Sequence, residues 1–530
     1  MPAGSDRLLH SGEAAAADAG SITLYLLLSA LGALIPAFHF GFQISLFNIP
    51  GKTIQAAIGP SVSQELFDLT TSLLPVGGMI GALFLAPWLV NLVGRRAFLL
   101  FSSPLFMLGG GLMMVCWWIT DSSPAASLSV LVIGRFLCGV GVGGASVVSP
   151  MYVSEISPVR FRGAFGSMVQ FGVTAGILVV QAIGVALRDQ WVWIFAISVG
   201  LGVLQALLAL VIARSPAFVA TRGSRADAVG IVQALHNVSR AEADMVVDGL
   251  SSGAAADGEP APSVWALVRS PVYRFPLLVC VLLQVAQQVS GINAVFFFSA
   301  GFFKSAGVDD VTGSLVAAGV NIVATALAVA VVECLGRRAL LLASTAGMMF
   351  FAAALTVALV MLQSAGTDEG LAIFSIVCVA FYVLFFELGL GPIPWMIGAE
   401  IFPERPRATA MSVAAAANWI FTFVVAQSFP AMQKALTAYS FVPFAGCLAA
   451  LLIFFVLFLP ETKDRLPEDV LAGMGIDVRQ DPDLVADESL IKRPAFDDVA
   501  AASPADVAPS MRADDAESGG AGSGLYFGGS

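Results

Sequence analysis

Uncharged amide side chains interrupt the long apolar segments of this chain. Together with one threonine they lie at Gln43, Gln170, Gln287, Gln288, Asn293, Asn321, Asn418 and Thr422. An amide offers two N–H donors and a carbonyl acceptor, which suits a hydroxyl group that gives one proton and accepts another. Several converging amides can replace the water around a polyhydroxylated molecule. This residue set therefore predicts a binding site for a neutral polyol, and a sugar fits that description.

The densest group of amides is Gln287, Gln288 and Asn293, which fall within two turns of one predicted helix. A single Gln or Asn in an apolar helix more often joins neighbouring helices than binds a ligand. Clustering favours ligand contact for these three residues. For Asn321 and Thr422, taken alone, the two interpretations are equally supported.

An aromatic side chain could complete such a site. Trp395 ends the segment Gly389-Leu-Gly-Pro-Ile-Pro-Trp395, and an indole can cover the C–H face of a sugar ring while its N–H bonds a hydroxyl. Glycine and proline there would loosen a helix that has to bend. The run Phe296-Phe-Phe298 follows the amide cluster and is interpreted either as packing or as a gate.

Two charged motifs occur twice. Val90-Asn-Leu-Val-Gly-Arg-Arg96 recurs as Val332-Glu-Cys-Leu-Gly-Arg-Arg338, and Glu155-Ile-x-Pro-x-Arg-x-Arg162 recurs as Glu400-Ile-x-Pro-x-Arg-x-Arg407. The repetition indicates a duplicated architecture. Positive charge alone would orient the helices in a membrane, but that does not explain the repeated glutamates. We therefore predict a charged latch that opens and closes, formed by Arg95, Arg96, Glu155, Arg162, Glu333, Arg337, Arg338, Glu400 and Arg407.

Glu387 and Arg135 lie inside or near apolar segments. A charge there is unfavourable by about 2.5 to 3.5 kcal/mol on insertion scales unless it is paired. Each is therefore a functional candidate whose partner the sequence does not identify.

The composition places these residues in a bilayer. The 530 residues are 58% hydrophobic and only 12% charged, whereas soluble domains are about a quarter charged. Because a spanning helix needs about 20 apolar residues, twelve spans are predicted. They cover residues 22–44, 67–90, 97–119, 128–150, 165–187, 191–212, 273–303, 311–333, 339–362, 371–398, 408–433 and 439–459.

The predicted organisation is an all-α membrane protein with two six-helix bundles, residues 22–212 and 271–465. The short loops that are rich in Arg and Lys all lie on one side of the membrane. Because such loops are usually cytoplasmic, both termini are predicted to be cytoplasmic. The segments on that side are residues 1–21, a linker at 213–270 with short helices such as Ala226 to Leu235, and a tail at 466–530. The tail carries most of the net charge of -11 and is expected to be disordered.

Several segments together resemble the sugar porter family of the major facilitator superfamily, and most closely its facilitative glucose transporters. They are Gln287-Gln-Val-Ser-Gly-Ile-Asn293, Gly389 to Trp395, Pro150-Met-Tyr-Val-Ser-Glu155, the Gly-Arg-Arg pair and Pro460-Glu-Thr-Lys463. The resemblance covers residues 22–465 and implies a hexose uniporter of the plasma membrane that works by alternating access. It implies sugar contacts at Gln170, Ile177, Gln287, Gln288, Asn293, Asn321, Phe386, Glu387, Trp395 and Asn418, with Phe297 and Phe298 as gating residues.

The chain departs from the family at several positions. Arg214 stands where a glutamate is usual, Phe297-Phe298 replaces a tyrosine pair, Thr422 replaces an asparagine, and Gln284-Val-Ala286 replaces Gln-Leu-Ser. Glucose is the expected substrate, with fructose or broader hexose use left open.

Coupling to protons can be judged at one position. Proton-driven relatives carry an aspartate where this chain has Gln43, and a glutamine cannot bind and release a proton near neutral pH. Passive transport is therefore expected. A proton-coupled hexose symporter using His39 or Glu387, and a transporter-like sugar sensor, are the alternatives. We expect no enzyme activity, cofactor, metal site, nucleic-acid ligand or obligate protein partner, only a small-molecule sugar and the lipid bilayer.

Overall fold

The computed structural model describes residues 21–255, 262–305, 309–365, 368–463, 465 and 467–476. The described residues contain helices and no strands. The helices of the N-terminal half, residues 22–212, are α1 Leu24–Ile44, α2 Gly51–Ile58, α3 Gln64–Ile80, α4 Ala86–Val93, α5 Arg95–Ile119, α6 Pro124–Ile156, α7 Arg162–Ala186 and α8 Val192–Val211.

The linker and the C-terminal half contribute the remaining helices. The linker holds α9 Pro216–Arg222, α10 Arg225–His236, α11 Arg240–Ala255 and α12 Val264–Arg269. The C-terminal half, residues 271–465, holds α13 Arg274–Val289, α14 Ile292–Ser305, α15 Asp310–Leu335, α16 Arg337–Ala365, α17 Glu369–Leu388, α18 Ile393–Ile401, α19 Glu404–Leu436 and α20 Val442–Phe458, and α21 Pro467–Gly473 follows.

Within the described residues, eleven helical stretches are long and apolar enough to cross a membrane, and α20 is a shorter apolar helix. Large apolar side chains such as Trp88, Trp118 and Phe350 are exposed on their outer faces, as a lipid environment requires. The fold-class prediction of an all-α membrane protein is confirmed.

Local sequence explains where these helices begin and bend. Ser63, Ser123 and Asp368 accept hydrogen bonds from the third residue after them and cap α3, α6 and α17. Helix α3 continues into α4 through a π-helical turn, Gly81–Leu85. The predicted seventh span is divided at Gly291, which has a φ of 84° that favours glycine.

Glycines allow α3 and α6 to approach closely. A Cβ atom added to Gly143 would lie 1.9 Å from the carbonyl oxygen of Gly78, so a larger residue at Gly143 would separate the two helices. Between the halves, α19 packs on α3, α15 on α7 and α14 on α1. These contacts bring the predicted amides of both halves towards one another.

Three sequence predictions need correction. Helix α2 lies in a predicted loop. Helix α11 continues to Ala255, into the Ser/Gly/Ala/Pro-rich stretch from Ser251 to Pro262 that the sequence predicts to separate the short linker helices. Helix α21 occupies the start of the predicted disordered tail, because its Val470 and Leu471 are buried. The tail from residue 477 onward lies outside the described residues.

Candidate functional site

A cavity of about 590 Å³ lies between the two halves. Its lining includes every residue for which a sugar contact was predicted: Gln170, Ile177, Gln287, Gln288, Asn293, Asn321, Phe386, Glu387, Trp395 and Asn418. Only Gln170 and Ile177 come from the N-terminal half. The structure thus brings together side chains that lie as much as 248 residues apart in sequence, from Gln170 to Asn418.

A network of amides forms the wall of the cavity on the C-terminal side. The Nδ2 atom of Asn418 donates to Oε1 of Gln284 and to Oε1 of Gln287, both at 2.7 Å. The Nε2 atom of Gln288 donates to Oδ1 of Asn418 at 3.0 Å and to Oε1 of Gln287 at 3.3 Å. Helices α13 and α19 are joined by these bonds, which occupy most of the capacity of the amides.

The same network reaches the break between α17 and α18. Gln287 donates through Nε2 to the carbonyl oxygens of Leu390 at 2.9 Å and Gly391 at 2.7 Å. Gln284, one turn earlier, donates to the carbonyl oxygen of Pro394 at 3.2 Å. In the sequence, Gln284 was noted only as part of a motif that differs from the family pattern. Its spacing of three residues from Gln287 nevertheless places it on the same helix face.

Two asparagines of the cavity lining retain unused hydrogen-bonding capacity. Asn293 donates one N–H to Oε1 of Gln288 at 2.5 Å, and its other polar groups have no partner within the described chain. Asn321 is 1% exposed and its Oδ1 has no hydrogen-bond partner. A buried polar atom without a partner is unfavourable by about 1 to 3 kcal/mol, so these asparagines are suited to receive a polar ligand.

Thr422 and Asn321, for which the sequence left two interpretations open, differ in the structure. Both line the cavity. The hydroxyl of Thr422 donates to the carbonyl oxygen of Asn418 at 2.8 Å and is thereby satisfied within its own helix. The donor of Thr422 is therefore already used, whereas Asn321 presents an unpaired Oδ1.

The N-terminal half contacts the C-terminal half through a weak polar pair. Gln170 on α7 lies 3.4 Å and 3.5 Å from the two carboxylate oxygens of Glu387 on α17. Phe40 and Trp419, which also line the cavity, lie with their ring centroids 5.5 Å apart and tilted by 40°, and the indole N–H of Trp419 has no partner among the described residues. No role was predicted for Trp419 from the sequence, although its position next to Asn418 could have suggested one.

One end of the cavity is closed by a direct bond between the halves. Ser45, at the end of α1, donates its hydroxyl to the carbonyl oxygen of Phe296 on α14 at 3.0 Å, and Gln181 donates to Ser45 at 3.4 Å. Phe297 lines the cavity, whereas Phe298 lies outside the lining and stacks on Phe429. The two predicted gating phenylalanines therefore have different surroundings.

The other end of the cavity reaches Ser154, Arg337 and Glu400, where the repeated charged motifs lie. Arg95 pairs with Oε1 of Glu155 at 2.6 Å, and Ser215 donates to the second oxygen of Glu155. In the C-terminal half, Arg337 pairs with Oε1 of Glu400 at 3.1 Å, and Thr462 donates to its second oxygen at 2.5 Å. The duplicated sequence thus forms the same cluster twice, once within each half.

The second arginine of each motif caps a helix. Arg96 donates to the carbonyl oxygens of Ala209 at 2.8 Å and Leu210, and Arg338 donates to that of Val456 at 2.8 Å. A cation at the carboxyl end of a helix is stabilising.

The other residues predicted for the charged latch are Arg162, Glu333 and Arg407. Arg407 donates to the carbonyl oxygen of Phe402 at 3.1 Å. The side chains of Arg162 and Glu333 lie outside the described part of the chain.

The two clusters differ at one position. Glu461 accepts hydrogen bonds from the backbone N–H groups of Arg337 at 2.9 Å and Arg338 at 3.1 Å, at the start of α16. Burial acts to raise the pKa of Glu461, but backbone N–H groups, including those of Lys463 and Thr462, hold this pKa below its usual value. The exposed Arg214 immediately precedes Ser215 in the N-terminal cluster, as Glu461 precedes Thr462, so α5 begins without an equivalent carboxylate.

Gln43 does not line the cavity. It is fully buried in a separate cluster, where Arg135 donates to its backbone oxygen at 2.8 Å and to its Oε1 at 2.7 Å. Gln43 in turn donates to Ser198 at 2.8 Å, which lies 2.8 Å from the ring of His39. The partner of Arg135 is therefore an amide, and the described residues provide it with no acidic side chain.

Comparison with known proteins agrees with this geometry. The family model described as "Sugar (and other) transporter" matches residues 26–470. Facilitated glucose transporter member 3 of solute carrier family 2 from Oryctolagus cuniculus is 35% identical over 470 residues, covering 85% of this chain and 92% of the relative. Member 4 from Homo sapiens is 34% identical over 483 residues, covering 85% and 91%.

The fold has solved counterparts. A partially occluded inward-open structure of the xylose transporter XylE from E. coli superposes with a TM-score of 0.71 at 24% identity, covering 84% of this chain and all of that chain. At this identity the likeness concerns the fold alone, which is that of the major facilitator superfamily. With the family model matched over most of its length, the chain belongs to the sugar transporter family.

Proposed function

We propose that this protein is a facilitative hexose transporter, with D-glucose as its main substrate, and that the cavity between the halves binds the sugar. The main support for this proposal is that all ten residues predicted to contact the sugar line one cavity, in which the Oδ1 of Asn321 is unpaired. The amide side chains of this cavity suit a neutral polyol, because an amide can both donate to a hydroxyl group and accept from one. The relatives named as facilitated glucose transporters support glucose as the hexose.

The two halves would move as units about the sugar. Ser45 and Phe296 close the cavity at one end, while its other end reaches the Arg337–Glu400 pair. If the charged clusters face the cytoplasm, as the basic residues indicate, this is a state open towards the cytoplasm. Both termini would then be cytoplasmic and the protein would reside in the plasma membrane. Closing the charged end and opening the Ser45 end would complete an alternating-access cycle.

Passive transport follows from the cluster around Gln43. An amide cannot exchange a proton near neutral pH, and Arg135 already satisfies both carbonyl groups of Gln43. His39 shares Gln43 with this cation and lies 2.8 Å from Ser198, so a second positive charge on its ring would be repelled. Neither group is suited to carry a proton with the sugar.

A proton-coupled symporter is the second candidate, because Glu387 places a carboxylate in the cavity wall. Reconstituted vesicles distinguish the two mechanisms. Labelled glucose is offered with unlabelled hexoses as competitors while the external pH is recorded. A uniporter takes up glucose without a pH change, whereas alkalinisation that follows sugar entry would establish symport. Absence of any hexose uptake by the wild-type protein would refute the proposed function itself.

A further inference from the structure

Helix α12 of the linker carries an outward face of large apolar side chains. Trp265 is 69% exposed, and Val264 and Val268 are exposed beside it. The helical step of about 100° per residue places these three side chains next to one another on one face. Leu267, on the other side of the helix, is 1% exposed. Helix α12 is thus fastened to the protein through Leu267, while its largest apolar residue is turned outward.

The position of α12 is fixed at the boundary of a membrane span. Only Ser270 to Tyr273 separate this helix from Arg274, where a candidate span begins. The N–H of Arg274 donates to the carbonyl oxygen of Ser270 at 3.1 Å, which makes the connection compact. At the start of α12, the carbonyl oxygen of Pro262 accepts from Thr409 at 2.9 Å. Because Thr409 lies beside the repeated charged motif that ends at Arg407, α12 belongs to the charged end of the molecule.

The outer surface of the neighbouring spans is also apolar at this end. Leu278 on α13 is exposed, as are Leu457 and Phe458 at the end of α20. The rings of Phe275 and Phe458 have centroids 5.9 Å apart and join the two helices. An apolar outer surface of this kind faces lipid. Helix α12 precedes this surface in the chain at the level where tryptophan is enriched in membrane proteins, the interface with water.

The charge around α12 is positive. Arg269 and Arg274 are exposed, and the sequence contains no acidic residue between Glu259 and Asp309. The guanidinium carbon of Arg269 lies 5.8 Å from the ring centroid of Trp265. An apolar helix face bordered by basic residues is typical of helices that lie in the headgroup region of a bilayer. Anionic lipids of the cytoplasmic leaflet attract such basic residues.

We infer that α12 docks on the bilayer surface at the charged end of the protein. Its apolar face enters the boundary of the acyl chains, and Arg269 and Arg274 bind the headgroups of anionic phospholipids. A soluble phosphate would leave the apolar face in water, so the partner is a lipid surface. A helix of six residues suffices, because the adjoining span already holds it at the membrane and raises its effective concentration there. Docking fixes the depth of the joint between the linker and α13.

Quenching of tryptophan fluorescence by brominated lipid tests this inference. The full-length protein is reconstituted into vesicles of phosphatidylcholine, or of an equal mixture of phosphatidylcholine and phosphatidylserine, with bromine on the acyl chains close to the headgroup. The emission of Trp265→Leu is subtracted from that of the wild type, which isolates the signal of Trp265. We expect the brominated chains to remove most of this signal in the anionic vesicles, and acrylamide in the water to remove little of it.

The contribution of the basic residues is measured in the same way. An arginine near an anionic surface contributes about 1 kcal/mol, which corresponds to about a fivefold change in an equilibrium. Arg269→Gln should therefore lower the ratio of docked to undocked helix about fivefold in anionic vesicles, and less in neutral ones. The matched control is Arg222→Gln, which removes an exposed arginine of α9 and should leave the quenching of Trp265 unchanged.

Three results would overturn the inference. Strong quenching of Trp265 by acrylamide would show that α12 faces water. Protection from acrylamide without quenching by brominated chains would place a protein surface over α12, such as a second copy of the chain. Equal quenching in neutral and anionic vesicles would refute the selection of anionic headgroups. Should Trp265→Leu not fold, hydrogen exchange of residues 263–270 in the wild type is compared between the two lipid mixtures, and equal exchange rates would contradict docking. Hexose exchange in the same vesicles tests the proposed function separately.

Discussion

Arg135 holds Gln43 by both of its carbonyl groups, the backbone oxygen at 2.8 Å and the side-chain Oε1 at 2.7 Å. Both residues are fully buried. The buried cation thereby has a neutral side-chain partner that cannot release a proton, while its Nε donates to the carbonyl oxygen of Thr70 at 3.0 Å. The proposed absence of proton coupling therefore depends on this glutamine in the first helix.

Replacing Gln43 by aspartate should make net uptake dependent on pH. The new carboxylate would pair with Arg135, the cation that holds Gln43 in the wild type. At neutral pH the ionised pair should resist rearrangement and reduce net uptake by about tenfold or more, as expected for a charged hydrogen bond of about 1.5 to 3 kcal/mol. Uptake should recover as the pH falls and the carboxylate is protonated. Gln43→Asn is the control, and an equal pH response in both variants would contradict the role assigned to this position.

Trp395→Ala should raise the half-saturation concentration for glucose by about tenfold, because a well-placed aromatic contact contributes about 0.5 to 1.5 kcal/mol. Trp395→Phe keeps an aromatic face and removes the N–H donor, so it should retain part of the affinity. Measured exchange in liposomes separates the stacking from the hydrogen bond. Unchanged affinity in the alanine variant would remove Trp395 from the site.

Ser45→Ala should loosen the closed end of the cavity. Loss of the bond to Phe296 removes about 1 kcal/mol from the state described here, which corresponds to about a fivefold shift in population. An impermeant glucose analogue applied from the face opposite the charged clusters should then bind more tightly. Ser149→Ala serves as the control, because Ser149 is a buried hydroxyl without a partner. Equal behaviour of the two variants would show that the Ser45 bond does not control access.

The carboxylate of Glu461 should stabilise the fold at neutral pH and lose this effect in acid. Because its folded-state pKa is lowered by backbone N–H donors, its contribution is complete above the unfolded value of 4.5 and declines as the pH falls through the folded value. The melting temperature of the wild type should therefore fall more steeply below about pH 4.5 than that of Glu461→Gln. Parallel pH curves for the two proteins would contradict the capping role.

The missing cap in the N-terminal half gives a reciprocal experiment. Arg214→Glu should place an acceptor at the start of α5, as Glu461 does for α16, and raise the melting temperature at neutral pH. Arg214→Gln removes the positive charge without adding an acid and should have a smaller effect. A stability gain of equal size in both would show that loss of the base, and not the cap, is responsible.

The fold class could be predicted because the length of an apolar segment and the charged residues at its ends are both properties of the local sequence. The residues that line the cavity could be predicted because the resemblance to the family assigns sugar contacts to individual positions of this chain. The sequence could not predict that Gln287 is saturated, since Leu390, Gly391 and Asn418, its partners, lie more than 90 residues away in the chain. Helix α21 was missed for a similar reason, because the burial of Val470 depends on packing against α18.

The closure between Ser45 and Phe296 uses a main-chain oxygen as its acceptor. Every amino acid at position 296 supplies that oxygen, so mutation of the aromatic side chain leaves the acceptor in place. The neighbouring phenylalanines can consequently diversify and tune which sugars fit, while the seal depends on a single small hydroxyl. Selectivity and closure can thus evolve separately in this transporter.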